Sequence, residues 1–110
     1  MLLRVYLKYK DYHISKDFEV SVAPQVGWQI GVPVKIGGGN ITVDVRSITQ
    51  YVGEDFLQVI CDASLYALCI LYLGNNGWTF YPDDFAQHSD VQKKLATIEK
   101  ARSRCTDIIR

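Results

Sequence analysis

Four side chains of the kind that bind divalent metal ions fall close together near the end of the chain: Asp83, Asp84, His88 and Asp90. Carboxylate oxygens and imidazole nitrogens are common metal ligands. Their order matches no metal-binding loop, however, and aspartates are frequent in turns and at helix starts for structural reasons. We therefore expect these residues to have structural roles and the protein to bind neither a metal ion nor a cofactor.

A second candidate for chemistry is a thiol–imidazole pair formed by Cys61 with His13 or His88. Cys61 ends the apolar run of residues 57–61, where burial would raise the pKa of the thiol and make it unreactive. We expect a buried structural cysteine and no catalytic residues. A small metal- or thiol-dependent hydrolase using Asp83 and His88, or Cys61, remains an alternative.

Basic residues form a third candidate site. Residues 47–92 contain no Lys or Arg, whereas six cations occur in residues 93–110. Lys93, Lys100 and Arg104 lie on one face of a helix there and could follow a phosphate backbone. Nucleic-acid-binding domains are usually strongly basic, but the sequence pI is about 6.7. Nucleic-acid binding by an accessory protein is therefore an alternative, and a solvated helix face is favoured.

Alternating polarity predicts the strands that would position these groups. Residues 2–9 place apolar side chains on one face, and a second strand with Asp17 and Glu19 outward would form a hairpin with the first. The outward cations of the first strand, such as Arg4, would then lie near these acids.

Residues 26–36 carry an apolar side chain at every even position, and Pro33 predicts that this strand lies at a sheet edge. The run of residues 37–40, Gly-Gly-Gly-Asn, is interpreted as a hairpin turn because a strand follows it, whereas a phosphate-binding loop needs a helix. In the fourth strand the pattern changes phase near Ser47, which predicts a β-bulge. Residues 56–62 are almost continuously apolar, as in strands covered on both faces.

Residues 64–75 are apolar on every side and are compatible with a helix or a strand. Ser64 is a suitable N-cap, and leucine and alanine favour a helix. The C-terminal helix opens at Ser89 and buries a stripe that includes Val91 and Ile98. The whole pattern predicts a single α+β domain over residues 1–110. It has an antiparallel sheet of about five or six strands, a C-terminal amphipathic helix packed on one face and a second short helix at 64–75.

The apolar segment also suggests self-association. A helix resting one face on the sheet would leave Tyr66, Ile70 and Leu73 toward water, and exposed apolar patches usually mark contact sites. A two-fold homodimer would cover them. The alternative is a central element covered within its own chain.

A small non-enzymatic protein-interaction factor, of the inhibitor, immunity-protein or accessory-subunit type, is the function that these features favour. Seven tyrosines and two tryptophans supply the residues that interfaces prefer. The partner would be another protein. The apolar run is too short to span a membrane, and three cysteines without a paired spacing favour a reducing, cytoplasmic location.

Overall fold

The computed structural model describes residues 1–34, 39–74 and 77–109, the last of these by backbone alone from residue 102 onward. Its strands are β1 (Leu2–Tyr9), β2 (Tyr12–Glu19), β3 (Gln29–Pro33), β4 (Asn40–Gln50), β5 (Phe56–Asp62) and β6 (Thr79–Tyr81). Its helices are α1 (Leu65–Gly74), a 3-10 helix (Phe85–Gln87) and α2 (Ser89–Ile109). The predicted α+β class, strand number and C-terminal helix are confirmed.

The six strands form one sheet in the order β3-β4-β5-β1-β2-β6. All neighbouring pairs are antiparallel except β1 and β5, which run parallel at the centre of the sheet. The sheet is therefore mixed, although the sequence pattern predicted an antiparallel one. Alternation of polarity reports which face a side chain occupies but carries no information on the direction of the neighbouring strand.

The predicted β1–β2 hairpin is confirmed, with Tyr9 opposite Tyr12 at its turn. Arg4 lies opposite Asp17 and donates two hydrogen bonds to its carboxylate, at 2.9 and 3.3 Å. This bidentate pairing is the geometry that guanidinium and carboxylate groups favour, and it fixes the register on the solvent side of the hairpin.

The strand predicted over residues 26–36 is shorter in the structure, because β3 covers only Gln29–Pro33 and both Val26 and Trp28 lie exposed before it. β3 is an edge strand, as Pro33 indicated, and the register of β4 against β5 shifts between Val45 and Ser47, where the bulge was expected. Val34 donates its N–H to the carbonyl of Gly39 at 3.0 Å, and Pro33 lies opposite Asn40, so the last two residues of the predicted turn 37–40 are paired with β3. Residues 37 and 38 of the predicted turn lie outside the described residues.

The ambiguous segment is helical. Ser64 caps α1, because its Oγ accepts a hydrogen bond from the N–H of Ala67 at 3.1 Å. Five consecutive residues, 67–71, are buried. Residues 68–71 share one hydrophobic core with the inner faces of the strands and with Val91 and Ile98 of α2. For these five residues, the structure supports the alternative to a homodimer contact, namely that the segment is covered by its own chain.

Within the described residues, the helices pack on one face of the sheet. Val59 and Cys61 of β5 are fully buried on that face, whereas Phe56 and Ile60 are half-buried on the other. The expectation that β5 is covered on both faces is therefore wrong. Its apolar run reflects a central position in the sheet and a second face that is apolar but open. Within the described residues, neither helix has the length and hydropathy needed to cross a membrane.

Candidate functional site

The uncovered face of the sheet, called the open face below, carries polar, charged and aromatic side chains from five of the six strands and Gln29 of β3. Alternation along the strands places every second residue on it, and the strand registers bring residues from distant parts of the chain to the same level. Its members are Arg4, Tyr6, Lys8, His13, Ser15, Asp17, Gln29, Asp44, Ser47, Thr49, Phe56, Gln58, Ile60, Asp62, Thr79 and Tyr81.

Aromatic rings lie at the middle of the open face. His13 stacks on Tyr81 with ring centroids 4.7 Å apart, and Tyr6 contacts the edge of His13 at 6.0 Å. Ile60 of the neighbouring strand β5 lies beside Tyr6 of β1. A shallow cavity of about 220 Å³ opens between these strands and is lined by Tyr6, Lys8, His13, Gln58 and Ile60. The face therefore offers an apolar floor with polar groups around it.

Paired charges surround this centre. The guanidinium of Arg4 also lies over the ring of Phe56, 4.1 Å from its centroid. The hydrogen bonds from Arg4 lower the pKa of the Asp17 carboxyl. Arg46 pairs with Asp62 at 3.2 Å. Lys8, in contrast, makes no ion pair with any residue in the described part of the chain.

His13 is the titratable group at the centre of the open face. Its pKa is lowered from 6.5, first by burial and then by the nearby positive charge of Lys8. A histidine whose pKa is depressed by folding stabilises the folded state above its ordinary pKa. That stability is lost as the pH falls through the lowered folded value.

We therefore expect the free energy of unfolding of the protein to decrease as the pH falls from 8 to 5, and His13→Gln to reduce this decrease. Urea denaturation at the two pH values, at a protein concentration low enough to keep the chain monomeric, measures this decrease. Asp17 and Asp90 also have lowered pKa values, but their contribution is lost only below 3.8, outside this range. An equal loss of stability in His13→Gln and in the wild type would contradict the assignment.

Both edges of the sheet are poor sites for adding a strand. Val34 bonds to Gly39, so the even-numbered residues of β3 face β4 and its odd-numbered residues point their backbone outward. These outward residues are Gln29, Gly31 and Pro33. Proline has no N–H to donate, a common device for protecting sheet edges. The other edge, β6, has three residues and is followed by Pro82.

Two of the three aspartates in the acidic cluster, Asp84 and Asp90, make contacts within the chain. Asp90 accepts a hydrogen bond from the hydroxyl of Tyr12 at 2.8 Å, which raises the pKa of Tyr12 to about 12. The same oxygen accepts from the N–H of Val91 at the start of α2. His88 lies 3.2 Å from Asp84 through Nε2. Among the described residues, no group of three such side chains converges on a metal position.

The structure does not bring Cys61 together with either histidine, and the contacts of His88 are with Tyr12 and Asp84. Cys61 is fully buried on the core side of β5, and burial raises the pKa of its thiol to about 11. His13 lies on the opposite, open face of the sheet. Cys69 is also a buried free thiol, with a pKa raised to about 11 mainly by burial. These two thiols stay protonated near neutral pH and lack the character of a nucleophile.

The residues expected to mediate self-association through α1 do not share one exposed face. Ile70 is only 6% exposed, so the expectation that it faces water is wrong. Tyr66 is exposed and Leu73 is half-buried. One face of α1 was expected to be free. In the structure, α1 packs against α2 and also shares the core with the sheet.

The predicted basic stripe is described in part. Lys93 and Lys100 are exposed on α2, two helical turns apart, whereas the side chain of Arg104 lies outside the described residues. Their exposure fits both a solvated helix face and a phosphate contact, so nucleic-acid binding stays a prediction.

The sequence pattern alone did not indicate the open face as a candidate site. The outward alternation of Arg4, Tyr6 and Lys8 was a usable signal, but it did not reveal that Tyr81 and Ile60 lie beside them. The structure thus defines a mixed α+β domain with an open, aromatic sheet face as its candidate site. Comparisons of the chain with models of protein families, with curated proteins and with solved structures found no match.

Proposed function

We propose that this protein is a small non-enzymatic protein-interaction factor, of the inhibitor, immunity-protein or accessory-subunit type, and that it binds protein through the open face. The observation that carries the proposal is the composition of that face. Tyr6, His13, Tyr81 and Ile60 lie at its centre, and the Arg4–Asp17 pair lies beside them. Aromatic and apolar anchors surrounded by polar groups are the usual anatomy of a protein-binding surface.

The sheet edges support docking on the face over strand addition. Pro33 interrupts the donors of one edge, and the other edge has only the three residues of β6. A partner that added a strand would find few backbone groups to pair with. A partner that lies across the open face needs none of them.

The non-enzymatic part of the proposal is supported by the roles of the reactive groups. Asp90 holds Tyr12 and the first turn of α2, and Cys61 packs in the core with a raised thiol pKa. Both groups have structural uses that explain their presence. A cytoplasmic location belongs to the same proposal, since two of the three cysteines are buried free thiols.

The test uses the full chain as bait in quantitative capture experiments, with two variants compared with the wild type. The open-face variant combines Tyr6→Ser and Ile60→Thr, two half-buried positions. The helix variant combines Lys93→Glu and Lys100→Glu and serves as the matched surface control. We expect a protein bound by the wild type and by the helix variant, with capture reduced at least about tenfold in the open-face variant, because central aromatic anchors dominate interfaces.

Capture that is unchanged in the open-face variant would contradict the proposed surface, and repeated failure to capture any protein would contradict the proposed function. Nucleic-acid binding by α2 predicts the opposite pattern. The helix variant would then lose binding, and the affinity of the wild type for an oligonucleotide would fall steeply with salt because bound counterions are released.

A further inference from the structure

The two central strands of the open face carry complementary side chains at the same levels. The parallel register of β1 and β5 pairs Lys8 with Asp62, Tyr6 with Ile60 and Arg4 with Gln58. The side of β1 supplies the ring of Tyr6 and the ammonium group of Lys8, which makes no ion pair within the described residues. The side of β5 supplies Ile60 and the carboxylate of Asp62, one oxygen of which also pairs with Arg46 at 3.2 Å. The β1 side of this surface is therefore complementary to the β5 side of a second copy, and the reverse contact is equivalent by symmetry.

We propose that the protein docking on the open face is a second copy of this chain, related by a two-fold axis that runs parallel to β1 and β5 and midway between them. This inference rests on the proposed function in that the open face must bind protein. Rotation about such an axis keeps the position of each residue along the strand direction and places β1 of one copy over β5 of the other. Lys8 of each copy then lies over Asp62 of the other, and Tyr6 lies over Ile60.

The outer strands fit the same arrangement. β2 of one copy lies over β4 of the other, because each is the second strand from the axis on its own side. His13 and Asp44 occupy the level of Lys8 and Asp62 on these strands, so the imidazole faces a carboxylate. A two-fold axis across the strands at the height of Tyr6 would instead place Lys8 over Arg4 and Asp62 over Gln58. It would also place His13 over Asp17, but Arg4 of the same copy already pairs with that carboxylate. The contact between the two cations therefore favours the parallel axis.

The area of the overlap indicates a weak dimer. The four strands β4, β5, β1 and β2 overlap over six residues each, whereas β3 and β6 extend over different heights of the sheet. Strands about 4.8 Å apart with a rise of about 3.3 Å per residue then give roughly 400 Å² of flat projected area. A standard interface buries about 800 Å² on each partner, so we expect self-association at high micromolar concentration.

The first measurement is the molar mass of the wild-type protein in solution by light scattering over a concentration series. We expect twice the monomer mass of 12.5 kDa at high micromolar concentration. A monomer throughout the series would overturn the proposed dimer.

Charge reversal identifies the contact. Lys8→Glu and Asp62→Lys are each expected to weaken self-association at least about tenfold, because each variant opposes two like charges across its own dimer. Mixing the two variants should restore a heterodimer, since both contacts then join opposite charges. Only a contact between copies gives this rescue. Lys93→Glu on α2 is the control and should leave self-association unchanged.

The outcomes separate this inference from the proposed function. A wild-type dimer that tolerates Lys8→Glu but is lost in Tyr66→Glu would place the contact on α1 and overturn the inference. A monomer whose open-face variant loses capture of another protein would overturn the inference and leave the proposed function intact. Binding of a single-stranded oligonucleotide that is lost in Lys8→Glu, with the wild type monomeric, would replace the second copy by nucleic acid.

Discussion

Ile70→Glu is expected to leave the chain unfolded. Ile70 is 6% exposed and belongs to the core shared by the sheet and both helices. An isolated carboxylate buried there would lose its hydration without gaining a partner, at a cost of several kcal/mol. That cost is comparable with the entire stability of a typical small domain, about 5–15 kcal/mol.

The matched control is Tyr66→Glu on the same helix, one turn away. Tyr66 is 53% exposed, so this variant should fold with a stability within about 0.5 kcal/mol of the wild type. Circular dichroism and urea denaturation of the three proteins provide the comparison. Folding of Ile70→Glu with a wild-type unfolding midpoint would contradict the packing of α1 between the sheet and α2.

Phe85→Ala is expected to reduce the free energy of unfolding by about 3–5 kcal/mol, the usual cost of deleting a buried aromatic ring. Phe85 is 1% exposed, and its ring centroid lies 5.1 Å from that of Phe80 and 5.3 Å from that of Tyr12. Tyr72 of α1 packs on the same ring at 5.8 Å. The ring therefore joins the 3-10 helix to β6, β2 and α1, and its removal leaves a cavity among all of them.

Tyr51→Ala provides the control for Phe85→Ala, because it also deletes an aromatic ring but at a position that is 50% exposed. Its effect on stability should stay within about 0.5 kcal/mol. Denaturant titrations of both variants at one pH measure the difference. Equal losses of stability in the two variants would contradict the central position of Phe85 in the core.

The sequence by itself determined the features that depend on neighbouring residues. Alternation identified which face each side chain of β1 occupies, the change of phase near Ser47 located the bulge, and Pro33 indicated an edge strand. Ser64 marked the start of α1. These signals are local, because side-chain period, capping and the missing N–H of proline act within a few residues.

The sequence did not determine whether an all-apolar helix would be covered by its own chain. Residues 64–75 satisfied the rules for a helix without indicating which elements would lie against it. The structure packs α2 on the side that the sheet leaves free, which is why Ile70 is buried. Coverage depends on the placement of two helices relative to one sheet, and the hydrophobic effect that drives it has no direction along the chain.

Only the tertiary structure decided the composition of the candidate site. The parallel pairing of β1 with β5 brings Lys8 beside Asp62 and Tyr6 beside Ile60, and β6 brings Tyr81 onto His13. Strand order is selected by the packing of the whole core, since each strand shows the same alternation whichever neighbour it has. The open face is therefore a property of the assembled sheet, because its members are distant in sequence and meet only when the core on the other face is complete.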